Sequence, residues 1–286
     1  MKQDTLKIRL DHYLTSISPA YNRSNIRHFI KQGLVYVNKK PVTKAGTLIN
    51  QDKDKIILKK TKQKGYKKTK ISVIYENQDI IVINKPAGLL VHSKGGLNEE
   101  FTVFDWLKNK IDFKKISNRS GIVHRLDRDT SGVMLCAKNE NIQAWLVQQF
   151  AKRNINKTYI AIVSGHLKEK EAFIILPLKR NPKKPNTFKV GSNGKFAQTY
   201  YKVLKTSKNY SMLALRPTTG RTHQLRVHLS YIGHPIIGDK LYSKKSADRM
   251  YLHANKIGLY LKDKSYLEFS ARLPVSFNNF INDDQE

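Results

Sequence analysis

One cysteine in 286 residues excludes any disulfide within the chain and any cysteine-rich metal cluster. That residue, Cys136, lies in the apolar run Val133-Met134-Leu135-Cys136-Ala137 and reads as core. Acidic residues are scarce as well: 22 Asp plus Glu stand against 53 Lys plus Arg, a formal net charge of +31. So large an excess is a statement about partners, and it points to a polyanion. No apolar run approaches the ~20 residues that span a bilayer, and the segment from Met1 to Thr5 lacks the apolar core of a signal peptide. The expectation is a cytoplasmic chain with no membrane partner. Phosphate loops of the Gly-x-x-x-x-Gly-Lys-Ser/Thr type, Gly-x-Gly-x-x-Gly turns and His-Glu-x-x-His helices are also missing. His223 and His228, five apart, point to different sides of a helix. Neither a cofactor nor a metal is expected, and no obligate protein partner is implied.

What is present falls into two parts joined by a basic segment. Residues 59–70 carry seven lysines and no apolar period, so they repel one another and read as a linker. Upstream, Leu10, Tyr13 and Leu14, then Ile26, Phe29 and Ile30, recur at i, i+3, i+4, marking two short helices, the second stopped by Gly33. Short strands follow at Leu34–Val37 and Ile56–Leu58. Arg23, Arg27 and Lys31 recur at i, i+4, i+8 along the second helix, where they can track phosphates without reading sequence.

Beyond the linker, strands are expected at 71–75, 80–84, 158–163, 172–175, 200–204 and 212–215. Thr102 and Asp105 form a capping box ahead of one helix, a stripe of Ile142, Trp145, Leu146 and Phe150 marks another, and 222–232 a third. Helices interspersed among dominant strands, without βαβ alternation, predict an α+β fold with a mixed, largely antiparallel sheet. The expected organisation is 1–58, linker 59–70, and 71–286.

Three stretches of the larger part hold polar groups that a core does not want. The first is His124-Arg125-Leu126-Asp127-Arg128-Asp129-Thr130-Ser131-Gly132; the others are Lys157-Thr158-Tyr159 and the run from Thr219 to His228. Together they offer an acid, a phenol and two arginines. Lys179–Pro185 adds a basic, proline-broken insertion.

The pattern Arg9-Leu-Asp-x-x-Leu14, Asn22-Arg-Ser24, Ile30, Gly33 and Val35-x-Val37-Asn38-x-Lys40 resembles the small RNA-binding domain named after small-subunit ribosomal protein S-four. That resemblance covers about residues 7–58. The 121–132 stretch, with Lys85-Pro-Ala-Gly88, Lys157-Thr-Tyr159, Gly220–His228, Gly233–Asp239 and Leu252-His-Ala254, resembles the HRLD-type (RluA-like) pseudouridine synthases over about residues 71–280. This resemblance implies the pseudouridine synthase fold and isomerisation of uridine in RNA, most directly in large-subunit (23S) ribosomal RNA.

It also implies roles for individual residues. Asp127 corresponds to the essential carboxylate, which either attacks the sugar or removes a sugar proton to form a glycal; the residues leave both routes open. Asp129 is expected to be a loop-stabilising acceptor. Tyr159 stacks on the uracil, and Arg226, with Arg221 as runner-up, pairs with Asp127. Arg125 intrudes where the extruded base was. Arg125, Arg221, His223, Arg23 and Arg27 are the expected substrate-binding residues. The alternatives are a tRNA target within the same family and an RNA-binding protein without catalysis. A base-excising glycosidase lacks here the paired carboxylates that activate water.

Overall fold

The computed structural model describes residues 7–18, 21, 23–59, 69–93, 100–261 and 265–284; most of the lysine-rich 59–70 segment lies outside them. The chain divides into two compact units, Met1–Lys68 with His92–Phe101, and Thr69–Val91 with Thr102–Glu286.

The smaller unit opens with β1 (Lys7–Arg9), α1 (Leu10–Ile17) and α2 (Arg23–Lys31), followed by β2 (Val35–Val37), β3 (Lys40–Val42), β4 (Leu48–Asn50) and β5 (Ile56–Leu58). β1 pairs with β4, and β2 lies between β3 and β5, all antiparallel. Asn38 and Lys39, both at positive φ, make the tight β2–β3 turn, a backbone that asparagine tolerates. Leu10, Leu14, Ile26, Phe29, Ile30, Val35 and Ile49 form the core, so the helical spacing seen in the sequence is the buried face.

Asp11 is a buried acid beside that core. Its carboxylate is fully shielded from solvent and takes ion pairs from Arg9 (3.0 Å), Arg23 (2.9 Å) and Arg27 (3.0 Å). Arg23 and Arg27, expected along an exposed face, are therefore also tied inward, while about half of each side chain stays in water. Burial opposes the Asp11 charge, but hydrogen bonds from the three guanidiniums outweigh it and hold the carboxyl well below its ordinary range.

The larger unit is built on a nine-stranded sheet. Its elements are β6 (Ser72–Glu76), β7 (Ile80–Lys85), α3 (Val103–Leu107), β8 (Ser131–Ala137), α4 (Glu140–Ala151), β9 (Ile155–Ser164), β10 (Glu171–Ile175), β11 (Leu178–Arg180) and β12 (Phe188–Val190). They continue with β13 (Gln198–Thr206), β14 (Tyr210–Pro217), α5 (Gln224–Tyr231), β15 (Leu252–Tyr260), β16 (Tyr266–Ser270) and α6 (Val275–Asp283). The strand order is β10-β13-β14-β9-β15-β8-β7-β6, with β16 also paired to β15. All named pairings are antiparallel except β8 with β15, as a mixed, largely antiparallel α+β fold requires. The basic insertion is a hairpin, because β11 and β12 pair across Arg180 and Phe188.

β7 and β8 read as near-continuous apolar runs because both are central; every residue of β8 is buried. β8 meets β15 at Ser131↔His253 and Gly132↔Ala254. Gly132 sits at φ +117, and a Cβ there would overlap the Ala254 backbone. This close approach fixes the point where the 124–130 loop enters the sheet. Thr102 and Asp105 form the expected capping box at α3.

Gly132→Ala is expected to destabilise the fold by at least about 3 kcal/mol, from overlap and strained φ together, measurable by denaturant unfolding. For Asp11, a folded pKa below the unfolded one means stability that is present above the ordinary carboxylate range and lost as pH falls. Thermal melts of the full chain should show a steeper loss between about pH 5 and pH 2 than those of Asp11→Asn, which melts lower at neutral pH.

Candidate active site

The loop that begins at His124 is anchored at both ends and from beneath. The ring of His124 stacks on Phe150 from α4 (centroids 4.6 Å apart, 21° between planes), and its Nε2 accepts the Leu135 N–H at 2.9 Å. Burial first, then the charge of Lys157, pushes its pKa down to about 3, so the ring is a neutral acceptor. At the far end Ser131 Oγ meets His253 Nδ1 at 2.9 Å and accepts from Arg249 at 2.6 Å.

Lys85, at the end of β7, supports the loop from below. Its side chain is fully buried, and Nζ donates to the carbonyls of Pro86 (2.9 Å), Leu89 (2.8 Å) and Arg128 (2.9 Å). Gly88 N–H also reaches the Arg128 carbonyl at 2.9 Å, joining the 86–89 turn to the loop. Burial draws the Lys85 pKa down to about 7 against the pull of Asp127 and Asp129. Three carbonyl acceptors need three N–H donors, which only the ammonium has. Among the described residues no hydrogen bond ends on the Asp129 carboxylate, so the acceptor role expected of Asp129 is not observed; Lys85 braces the loop through the backbone.

At the centre, Arg226 from α5 lies between two carboxylates. Its Nε and Nη2 donate to both oxygens of Asp239 at 2.7 Å each, and Nη1 donates to Asp127 Oδ2 at 3.1 Å. Burial opposes the guanidinium charge, but Asp239 and then Asp127 more than offset it and raise the pKa above its ordinary value. The side chain of Asp239 is fully shielded and accepts further from the N–H groups of Leu241 (2.9 Å) and Tyr242 (3.2 Å). The geometry selects Arg226 over Arg221 as the partner of Asp127, since Arg221 Nε donates to the Phe196 carbonyl at 3.0 Å.

Asp127 Oδ1 has no hydrogen-bond partner among the described residues, and 20% of the side chain is exposed. One oxygen is thus held and the other free to react. His223 Nε2 stands 3.8 Å from Oδ2, while Nδ1 meets the Tyr242 hydroxyl at 2.8 Å. That hydroxyl already accepts the Phe188 N–H at 2.7 Å. Burial first pushes His223 below its ordinary pKa, favouring the neutral ring. His223 caps α5 at φ 57, a left-handed state whose strain the two side-chain contacts help to maintain.

Tyr159 on β9 lines the same cavity of about 130 Å³ as Asp127, Arg125, Arg221, His223 and Arg226. Its hydroxyl has no partner among the described residues. Burial, then the Asp127 charge, raises its pKa, so it is a neutral phenol with a face to stack and an O–H to donate. Arg125 is exposed at the rim. Arg23 and Arg27 belong to the other unit. Sequence reasoning assigned no role to Lys85, Asp239 or Tyr242. The run Gly238-Asp239-x-x-Tyr242 held the available signal: an acid in an apolar, glycine-punctuated context that needs a cation.

The arrangement can hold a flat ring beside an oriented carboxylate in a partly enclosed cavity. Residues 79–231 match the family model for RNA pseudouridylate synthase, and residues 8–55 match the S4 domain. A relative from Aquifex aeolicus named as an uncharacterized RNA pseudouridine synthase is 39% identical over 247 residues, covering 84% of this chain and 78% of its own. The ribosomal large subunit pseudouridine synthase D of Haemophilus ducreyi is 38% identical over 298 residues, covering 97% and 91%. Among solved structures, human RNA pseudouridylate synthase domain containing 1 aligns with a TM-score of 0.59 and 28% identity over 71% of this chain and 83% of that one. A carboxylate with one tethered and one free oxygen shares this cavity with a neutral phenol, and the chain belongs to the RNA pseudouridine synthase family.

Proposed function

We propose that this chain isomerises uridine to pseudouridine in large-subunit ribosomal RNA, with Asp127 as the reacting carboxylate. The free Oδ1 of Asp127, in one cavity with a Tyr159 hydroxyl that lacks a partner among the described residues, is the observation that carries the reading. The Haemophilus ducreyi and Borreliella burgdorferi relatives named ribosomal large subunit pseudouridine synthase D support the choice of RNA. The S4-like segment and the +31 charge support a polyanionic substrate. In this reading residues 1–58 hold RNA and 71–286 carry the chemistry.

The target uridine leaves its stack, at a cost of a few kcal/mol, and Arg125 fills the space from the rim. Oδ1 either attacks C1′ or removes a ribose proton; in both routes the bond from C1′ to N1 breaks and uracil departs with the electron pair. Tyr159 keeps the released ring flat against its face while C5 turns toward C1′. When the C5–C1′ bond forms, the C1′–Oδ1 ester bond breaks or, in the glycal route, the carboxyl returns its proton to the ribose; C5 then loses its proton and N1 gains one, so composition and oxidation state are unchanged. Arg226 holds Asp127 aimed before the reaction through the Nη1 contact to Oδ2. In the glycosyl-ester route the carboxylate charge is consumed and then restored, and the Arg226–Asp239 pair fixes the guanidinium through both steps.

Asp127→Asn should lower single-turnover isomerisation by at least about 10³-fold while RNA affinity stays at the wild-type level. Full activity in that variant would reassign the reacting group. Arg226→Lys cannot keep both the fork to Asp239 and the contact to Asp127, and a fall in kcat of about 10²-fold is expected in tritium-release assays. Mapping pseudouridines in ribosomal and transfer RNA from cells with and without the protein tests the substrate. Loss at a large-subunit uridine is expected; loss confined to transfer RNA would overturn the choice of RNA.

A further inference from the structure

A second cavity, of about 400 Å³, borders the Asp127 pocket and shares with it Arg125, Lys157, Tyr159, Thr219, Gly220 and Arg221. We propose that it is a phosphate subsite, in which Lys157 and Arg153 hold a phosphodiester of the RNA strand beside the target uridine. The proposal rests on RNA being the substrate, as argued above.

The lining is cationic without compensation. Arg125, Arg153, Lys157 and Arg221 contribute four positive side chains, no Asp or Glu lines the cavity, and His124 is neutral for the reason given above. Lys157 is the telling residue. The period of two along β9 places it on the same face as Tyr159, so the stacking ring and the ammonium look into connected spaces. Lys157 is half-buried, yet among the described residues its Nζ has neither a hydrogen bond nor an ion pair. Burial accordingly lowers its pKa. A half-buried charge with no partner is costly to maintain, and a ligand that supplies an anion removes that cost.

Arg153 lines the same cavity. It ends the turn after α4 at φ 62, a state that L-residues adopt against local strain, held by its N–H to the Phe150 carbonyl at 3.2 Å. Strain of this kind gathers where a side chain must be aimed. Its guanidinium, like that of Arg125, has no partner among the described residues. Phe150, stacked on His124, forms an apolar wall, which lowers the local dielectric and strengthens a charge-assisted contact.

An RNA ligand brings the complementary group. Extruding a uridine into the Asp127 pocket brings its flanking phosphates close to a carboxylate that repels them. Cations in the adjoining cavity offset that repulsion and fix the strand in one register. Lys157 and Arg153 are thus binding and positioning residues.

The test pairs protein variants with chemically edited RNA. A short synthetic large-subunit stem-loop that the chain binds is prepared with a neutral methylphosphonate at each linkage near the target, one at a time. Binding and single-turnover isomerisation are measured for wild type, Lys157→Met and Arg153→Ala. One linkage should lower wild-type affinity by about tenfold, in the range of a charge-assisted hydrogen bond. Lys157→Met should show a similar loss on unmodified RNA and little further loss on RNA edited at that linkage. Its salt dependence should be shallower by about 0.7 to 1 per contact, and its defect should lie mainly in KM. Arg153→Ala, changed at an exposed position, should show the same non-additivity even if Lys157→Met folds poorly. Losses that multiply at every linkage, or wild-type affinity in both variants, would overturn the subsite. Non-additive binding without any isomerisation would sustain the subsite and sink the enzymatic reading alone.

Discussion

The guanidinium of Arg226 is the group around which the larger unit's chemistry is arranged. It is buried and cannot discard its proton, so its fold needs carboxylate oxygens on it. Asp239 takes Nε and Nη2 as a planar fork, and the remaining capacity of Asp239 is used by two backbone N–H groups. Only Nη1 is left for Asp127, which explains why one Asp127 oxygen is tethered and the other is not. Orientation of the carboxylate is therefore a by-product of satisfying a buried arginine. A lysine, with a point charge and no fork, cannot divide itself this way.

Much of this was legible in the sequence, because the residues that line the cavity lie in polar words set against apolar runs. Asp127, Tyr159 and Arg226 come from three elements separated by tens of residues, and they line one cavity. The central strands β7 and β8 were equally visible, being apolar throughout. The supporting residues were not. Lys85 looks like a turn lysine, and nothing local shows that three carbonyls from two segments will close on it. Asp239 and Tyr242 are meaningful only once α5 has brought Arg226 to them. β15, the strand that joins β9 to β8 and β16, is interrupted by the polar pair Asn255-Lys256 where its register shifts against β9, so its alternation fades. The β11–β12 hairpin is masked by its own prolines and lysines.

The hairpin is connected to the carboxylate. Phe188 N–H reaches the Tyr242 hydroxyl, that hydroxyl meets His223, and His223 stands beside Asp127. The edges of Phe188 and Tyr242 also frame the His223 ring. The β11–β12 hairpin, which carries Lys179, Arg180 and Lys189, is thus linked through Tyr242 and His223 to the tethered Oδ2 of Asp127. In the smaller unit the division of labour is similar: Asp11 ties three arginines together by one edge and leaves the rest of each in water.

The grip of Lys85 falls on carbonyl oxygens of residues 86, 89 and 128, and a carbonyl is present whatever side chain a residue bears. The grip of Lys85 on the Asp127 loop therefore falls on the backbone of position 128 and not on its side chain. A brace built on backbone atoms fixes the path of the loop without specifying which side chains the loop presents.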